Sequence, residues 1–187
     1  MKNYIYWFLL KMRGLLGEEL NEIENVKNAQ DLSRFIEKYL KRLLIHAYNH
    51  VKYFNKIFNE IGIIENSEIA LSKFNNIPIL TKTIIRQYRE HLVSDDYIKR
   101  KWYYNSSGGS TGEPVRFIQD DIYDKWSFAT FYYYYKHFLG IDEPFVKKVL
   151  LWGSERDIFQ GSLGWRAIVS NWLSNTVFLN SFRMTEN

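Results

Sequence analysis

The sequence predicts an α/β protein in which an N-terminal helical segment leads into an incomplete α/β domain of three layers. Apolar residues recur at helical spacing from residue 32 to residue 61. A segment rich in glycine and serine, 105–114, separates two short runs that are typical of strands. A third run, 147–153, precedes Ser154 and Asp157, a pair typical of a helix N-cap. We therefore predict a helical segment over 1–80 and the first part of an α/β domain over 81–187.

Composition limits the classes of function. A chain of 187 residues with 18% aromatic residues is long and apolar enough to bury a core, which argues against disorder. The net charge of +4 is mild, and no block of five or six like charges occurs, so we expect no nucleic-acid partner. Cysteine is absent, which excludes disulfides and thiolate nucleophiles and suits a cytoplasmic protein.

The first 17 residues predict an amphipathic helix. Its apolar run is too short to span a membrane and lacks a small-residue cleavage site. Apolar residues at helical spacing form one face: Ile5, Phe8, Met12 and Leu15 or Leu16. We expect this helix to pack on the domain. The alternative is an interfacial membrane helix with Tyr6, Trp7, Lys11 and Arg13 at the headgroups.

Residues 32–61 carry the strongest helical periodicity in the chain. The apolar stripe comprises Leu32, Phe35, Ile36, Tyr39, Leu40, Leu43, Leu44, Ala47, Val51, Phe54, Phe58 and Ile61. An unbroken helix of this length would exceed the width of a small domain, so we predict a break near 49–52 and a C-cap at Gly62. His46 and His50 have the spacing of two metal ligands, but no third ligand is evident. Core or surface histidines are therefore favoured, and no metal ligand is predicted.

The next segment leads into the glycine-rich stretch. Pro78 ends any preceding helix, and Thr81 is suited to cap a helix that runs from Lys82 to about Leu92. Asp95 and Asp96 mark a loop before the first strand. The sequence thus predicts a short capped helix, a loop and a strand in that order.

The glycine-rich stretch predicts a strand, a loop and a returning strand over 103–119. Glycines let the backbone approach a ligand closely, and successive N–H groups with Ser and Thr hydroxyls form an anion-binding concavity. The candidate ligands of a polyphosphate are Ser106, Ser107, Gly108, Gly109, Ser110, Thr111 and Gly112. The loop is not a Walker A loop, because no Gly-Lys-Ser/Thr follows. The alternative is an ordinary Gly/Ser hairpin that binds nothing.

Downstream, a helix is predicted over 120–139, closed by Gly140. It contains four consecutive tyrosines, 132–135, which cannot share one helix face, so we expect core packing with some exposed rings rather than base stacking. The run 147–153 is typical of a buried parallel strand, and 176–180 is the last predicted strand.

Three motifs in order resemble those of the adenylate-forming superfamily of acyl-CoA ligases. The phosphate loop of that superfamily, Thr/Ser-Ser-Gly-Ser/Thr-Thr-Gly-x-Pro, is similar to residues 106–114 with one additional glycine. In its phenylacetate–CoA ligase and CapK-like branch, His-Ala-x-x-x-Val-Pro-Tyr-Tyr resembles residues 46–54, with Lys52 in place of proline. The element Ile-Pro-x-Leu-Thr-Lys matches residues 77–82. Val115 stands where lysine is common, and 151–157 resembles a CapK-like element whose Glu155, Arg156 and Asp157 would border the site.

The resemblance implies an adenylate-forming domain that converts a carboxylic acid and MgATP to an acyl-adenylate, linked to capsular or cell-surface polysaccharide biosynthesis. ATP and magnesium are the implied cofactors, with residues 106–112 on the phosphates. The glutamate motif Tyr-Gly-x-Thr-Glu, the ribose-binding aspartate and the C-terminal lid domain with its lysine are not found in the sequence. We therefore expect the N-terminal part of a ligase that is inactive alone. The alternatives are a truncated gene product, an expressed fragment, or one piece of a split gene whose partner is a separately encoded C-terminal portion.

A second reading of the sequence assigns the chain to a different class of protein, a binding module rather than part of an enzyme. A degenerate homologue would act as a stand-alone binding or scaffold module, attached to a membrane or partner through its N-terminal helix. The expected location is cytoplasmic, with a membrane-peripheral position in this second reading. The substrate acid and the acyl acceptor are not specified by any motif in the sequence.

Overall fold

A computed structural model describes residues 1–66, 68–107, 114–141, 146–152 and 165–180. The predicted mixture of helices and strands is confirmed, with helices predominating over three small two-stranded sheets among these residues. The chain divides into two compact units, one formed by 1–24 with 125–187 and the other by 25–124. We call them the terminal unit and the central unit. The predicted boundary at residue 80 stays a prediction.

The two longest helices of the central unit are α3, Ala29–His50, and α4, Lys52–Ile61. The side chain of Asn28 caps α3 by accepting hydrogen bonds from the N–H groups of Gln30 and Asp31. The predicted break is confirmed at Val51, which takes an extended conformation with φ −122° and ψ 107°. The chain turns there, so the apolar faces of α3 and α4 can pack against the same core.

The predicted C-cap of α4 is confirmed at Gly62, whose φ of +63° lies in the left-handed region. Its N–H donates to the carbonyl of Asn59, and its own carbonyl accepts from Nζ of Lys73 at 2.7 Å. A side chain at this φ costs free energy in any residue that has a Cβ.

Gly62→Ala is expected to lower the free energy of unfolding by about 1 kcal/mol, because alanine must enter the left-handed region. Gly62→Asn is the matched variant, since asparagine tolerates that region better, and it should lose less. Urea denaturation of the three proteins measures the order. Equal stability of Gly62→Ala and the native chain would contradict the cap.

The core of the central unit lies beside the C-terminal half of α3. Leu44, Phe58, Ile63 and Ile69 are buried together, and Phe58 is 1% exposed. Ile63 precedes a short antiparallel pair, β1 over Ile64–Glu65 and β2 over Glu68–Ile69. The β1–β2 pair and the residue before it thus pack on the apolar face that α3 and α4 share.

The predicted apolar stripe is wrong at the N-terminal half of α3. Leu32 and Ile36 are exposed, whereas Leu40, Leu44 and Ala47 pack on or around the core. The reason is that β1, β2 and α4 reach only the second half of the helix. Leu43, in the second half, is exposed as well. Periodicity predicts a common face but not how much of that face has a partner.

A 3₁₀ helix over Leu71–Asn76 leads to α5, Lys82–Gln87. The predicted cap is confirmed, because Oγ of Thr81 accepts from the N–H of Ile84 at 3.3 Å. The helix is shorter than the predicted 82–92 and ends at Gln87. After a further 3₁₀ turn, Tyr97–Lys99, the predicted strands follow as a hairpin. They are β3 over Trp102–Ser106 and β4 over Arg116–Asp120, antiparallel in register.

The terminal unit contains α1 over Lys2–Met12, α2 over Glu18–Glu24, and most of α6, Asp121–Phe138. Its buried cluster is Leu20, Ala129 and Tyr132. The four tyrosines of α6 differ in exposure as expected, since Tyr132 is 7% exposed and Tyr134 is 49% exposed. Gly140, with φ +65°, follows the helix end.

A parallel strand pair completes the terminal unit as described. The strands β5, Lys148–Trp152, and β6, Thr176–Asn180, are joined through α7, Trp165–Leu173. The two predicted strands are confirmed, but the prediction that the first is buried is wrong. Val149 and Leu151 share one face of β5 and are 58% and 57% exposed, because pairing with β6 occupies an edge of the strand and does not cover its faces. The predicted N-cap pair Ser154 and Asp157 lies outside the described residues.

The N-terminal helix is confirmed, but it does not bury the predicted face. Ile5, Phe8 and Met12 are exposed, and Leu10 is the buried residue. The helix packs instead on α7, where Nζ of Lys2 donates to the carbonyl of Trp172 at 3.2 Å. None of the described helices is both long enough and apolar enough to cross a membrane.

Candidate functional site

We call the loop end of the β3–β4 hairpin, formed by Ser106, Ser107, Val115 and Arg116, its neck. It contains Ser106 and Ser107, the two predicted site residues that the structure describes. Ser106 pairs with Arg116 at the last position of the register. Ser107 closes the neck with two bonds to Val115: its N–H donates to the carbonyl at 2.9 Å, and its Oγ accepts from the N–H at 3.0 Å. A hydroxyl that accepts one bond keeps its own proton for donation. Ser107 therefore can both fix the loop ends and donate to a ligand.

The remaining predicted residues, Gly108, Gly109, Ser110, Thr111 and Gly112, lie outside the described residues, as do Glu155, Arg156 and Asp157. The hairpin fixes the two ends of the loop, because its strands are paired up to Ser106 and Arg116. The loop therefore begins and ends at one edge of the hairpin.

One face of the hairpin borders an open cleft of about 630 Å³ in the central unit. Trp102, Tyr104 and Arg116 contribute to this wall. The register pairs Tyr104 with Ile118 and Trp102 with Asp120, so alternate residues of both strands lie on the same face. The opposite wall comes from residues 85–97, including Arg89 and Tyr97. Aromatic rings and charged groups thus meet in one cleft next to the loop.

Arg116 is the cation nearest in sequence to the glycine-rich loop. Its guanidinium carbon lies 4.2 Å from the centroid of the Tyr104 ring, a cation–π geometry. Within the described part of the chain, the structure gives Arg116 no carboxylate partner. A stacked arginine without such a partner is already oriented and keeps its N–H groups for an anion.

Arg100 lines the same cleft, but its guanidinium is already paired with two carboxylates, those of Asp96 and Asp120. Its Nη1 and Nη2 donate to the two carboxylate oxygens of Asp96 at 2.8 and 3.1 Å. Its Nε lies 2.9 Å from Oδ2 of Asp120, an ion pair that lacks the angle of a hydrogen bond. Hydrogen bonds from Arg100 and then from Ser94 hold the pKa of Asp96 well below its usual range. This network joins the end of β4 to the loop before β3.

Asp96→Asn is expected to lower the free energy of unfolding by about 2 kcal/mol at pH 7, since it removes a charge-assisted pair from a largely buried arginine. The control is Glu37→Gln, which breaks the exposed pair with Lys41 and should cost much less, because solvent screens exposed pairs. Urea denaturation measures both. A loss no greater than that of the control would contradict a structural role for the pair.

The stabilisation that Asp96 provides, measured as the difference in the free energy of unfolding between the native chain and Asp96→Asn, should depend on pH. The carboxyl of Asp96 has a lowered pKa in the folded chain, so its contribution is present above the ordinary value of about 3.9 and declines as pH falls below it. The difference between native chain and Asp96→Asn should therefore shrink from pH 4 downward.

Tyr103 lies on the other face of the hairpin, away from the cleft wall. Burial, together with a 2.8 Å hydrogen bond to Oδ1 of Asp124, raises the pKa of Tyr103 to about 12. The hydroxyl therefore stays protonated at neutral pH. It acts as a donor that ties β3 to the start of α6.

The two histidines singled out in the sequence lie at the C-terminal end of α3, half exposed, with ring centroids 4.8 Å apart. The structure brings Asp95 and Asp96 next to them, residues 45 and 50 positions away in the chain. Sequence reasoning placed these aspartates in a loop and missed the contact. It also missed Arg116 and Arg100, for which the sequence signal was position alone: Arg116 lies in the predicted returning strand, and Arg100 lies shortly before the first strand.

No protein-family model matches the chain, and no curated protein matches it. Among the described residues, the site comprises the end of the hairpin at Ser106 and Ser107, Arg116 against the Tyr104 ring, and the aromatic cleft that Arg116 lines.

Proposed function

We propose that the chain carries the phosphate-binding loop of an ATP-dependent, adenylate-forming ligase of the phenylacetate–CoA ligase and CapK-like type. The resemblance rests on the three motifs at 46–54, 77–82 and 106–114. The observation that carries the proposal is that residues 106–114 connect two paired strands, with Ser107 and Arg116 at the neck. Paired strands give residues 106–114 two fixed ends, which suits phosphate binding by backbone N–H groups.

Arg116 is proposed to supply the positive charge at the base of the loop. The related enzymes commonly carry lysine after the proline, whereas this chain has Val115, which is buried. Arg116 follows directly and is exposed on the cleft face. Its planar fork suits bidentate binding of phosphate oxygens. Magnesium would accompany ATP, and its proposed role is to neutralise phosphate charge.

Within the cleft, the proposed occupants are the nucleotide and an acid. Three arginines, Arg89, Arg100 and Arg116, face two carboxylates, Glu90 and Asp120. Trp102 also lines the cleft, and its indole is the proposed stacking partner of a planar group, since Tyr104 already contacts Arg116. The proposed reaction in the complete ligase is attack of the substrate carboxylate on the α-phosphate of ATP, which forms the acyl-adenylate and releases pyrophosphate. The proposed contribution of residues 106–116 is positioning and charge stabilisation of the leaving phosphates.

The test is calorimetric titration of the chain with MgATP. Replacing Ser110 and Thr111 together by alanine removes two hydroxyl donors and should weaken binding by at least about 10-fold. Ser33→Ala is the control, because its hydroxyl bonds to the carbonyl of Ala29 within α3. Equal affinity of the double variant and the native chain, or no binding of MgATP by the native chain, would count against the proposal.

A second candidate function, membrane or partner attachment through α1, is favoured by one observation. Phe8 and Met12 are 57% and 71% exposed, although they belong to an apolar face. The first 17 residues contain Lys2, Lys11 and Arg13 and no acidic residue. An exposed apolar face with basic flanks is suited to an anionic lipid surface.

Cosedimentation with phosphatidylserine vesicles tests this second function. Replacing Phe8 and Met12 together by serine should release the chain from the pellet, and Ile36→Ser, at an exposed apolar position of α3, should not. Phosphatidylcholine vesicles should bind less in every case. Absence of the native chain from the phosphatidylserine pellet would argue against attachment through α1.

A further inference from the structure

The cluster of two histidines and two aspartates at the end of α3 is not used by the proposed nucleotide site. His46 and His50 lie one helical turn apart, and one donor atom from each, together with one carboxylate oxygen of Asp96, lie within 4.8 Å of one another. The cluster is half buried: the side chains of His46 and Asp96 are 37% and 16% exposed. We propose that His46, His50 and Asp96 bind a divalent transition-metal ion of the zinc type.

One edge of the site already has the dimensions of a metal centre. Nε2 of His46 lies 3.3 Å from Oδ2 of Asp96, longer than a good N–H···O hydrogen bond. Metal–ligand distances of about 2.0–2.1 Å around a tetrahedral ion place neighbouring donor atoms about 3.3 Å apart. The spacing of these two atoms therefore matches that of two ligands of one ion, although Oδ2 of Asp96 also accepts from Nη1 of Arg100. The third donor comes from His50, which has a ring nitrogen within 4.8 Å of the other two donor atoms.

Both types of ligand are oriented by neighbouring groups, as metal ligands in proteins usually are. Nδ1 of His50 lies 2.7 Å from Oδ1 of Asp95, which fixes that ring and leaves Nε2 for the ion. Asp96 is held by Arg100 and by the hydroxyl of Ser94, so its carboxylate points in one direction and stays ionised. Removal of such supporting groups typically weakens metal binding by about 10- to 100-fold.

The backbone also fixes the two segments relative to each other. The N–H of Asp95 donates to the carbonyl of His50 at 2.9 Å, and the N–H of Tyr53 donates to the carbonyl of His91 at 3.0 Å. The end of α3 and the loop 91–96 are thereby joined on both sides of the break at Val51. The ligands are thus brought together before an ion arrives, which lowers the entropy cost of binding.

The ligand chemistry selects the metal. Two imidazoles and one carboxylate suit zinc, and also cobalt and nickel, whereas magnesium prefers oxygen ligands in an octahedron. The positive charge of Arg100 opposes an ion, but the carboxylates of Asp95, Asp96 and Asp120 outnumber it. With three protein ligands, a fourth position would be open to water or to a substrate group. The site is separate in chemistry from the magnesium that accompanies ATP.

The experiment is calorimetric titration of the untagged chain, freed of metal with a chelator, with zinc chloride in the absence of nucleotide. We expect one zinc ion per chain, and His46→Gln and His50→Gln should each weaken binding by at least about 10-fold. His137→Gln is the matched control, because it removes a histidine that lies near Glu24 in the terminal unit. Circular dichroism verifies that each variant is folded, and Asp95→Asn tests the supporting role without removing a ligand.

Magnesium chloride at the same concentrations should produce no saturable heat and should not compete with zinc. The proposal is overturned if zinc does not bind with a defined stoichiometry, if both glutamine variants bind as the native chain does, or if His137→Gln weakens binding equally. Because nucleotide is absent, these outcomes do not depend on whether the chain binds ATP.

Discussion

Phe58→Ala is expected to lower the free energy of unfolding by about 3–5 kcal/mol, as truncation of a fully buried phenylalanine does. The side chain is 1% exposed and lies at the centre of the core formed with Leu44, Ile63 and Ile69. Truncation removes apolar contacts from α3, α4 and the β1–β2 pair at once. The cavity left behind can collapse only partly, because three elements meet around it.

Urea denaturation followed by circular dichroism measures this loss, with Ile36→Ala as the control. Ile36 is 53% exposed on the first half of α3, so its truncation should cost less than about 1 kcal/mol. Loss of stability by similar amounts in both variants would contradict the placement of the core beside the second half of α3.

Arg116→Ala is expected to weaken binding of MgATP by about 10- to 100-fold, which corresponds to the loss of a charge-assisted hydrogen bond of about 1.5–3 kcal/mol. The reason is that the stacked guanidinium is proposed to bind phosphate oxygens at the base of the loop. Arg116→Lys keeps the positive charge but loses the planar fork of the guanidinium. Its affinity for MgATP should lie between those of the native chain and Arg116→Ala.

Lys56→Ala is the control for Arg116→Ala, since it removes the same charge from a side chain of α4 that is 78% exposed. It should change the affinity by less than about 2-fold, because exposed charges are screened by salt. Calorimetric titration at one ionic strength compares all four proteins. If Arg116→Ala binds MgATP as tightly as the native chain, Arg116 has no role at the phosphates.

Local signals in the sequence predicted the elements well. The break at Val51, the caps at Gly62 and Thr81, and the hairpin around 105–114 each depend on a few neighbouring residues, and the structure has all of them. Each follows from backbone preference or from a side chain that bonds its own backbone, so distant residues are not needed to predict it.

The features that the sequence did not predict are burial and long-range contacts, which depend on which elements pack against each other. The exposed positions of α1 and β5 were expected to be buried, because an apolar pattern shows a face but not its partner. The contact of His46 with Asp96 joins residues 50 positions apart, and no local pattern encodes it. Arg116 became a candidate only when the hairpin register placed it opposite Ser106 at the neck of the loop.

The central claim, that the loop between β3 and β4 binds polyphosphate, is tested most directly by NMR of the ¹⁵N-labelled chain. Addition of MgATP or of pyrophosphate should shift the amide signals of Ser107, Gly108, Gly109 and Gly112 most strongly, and adenosine should not. The amides of the terminal unit should stay unchanged. Shifts confined to other parts of the chain, or equal shifts with adenosine, would contradict the claim.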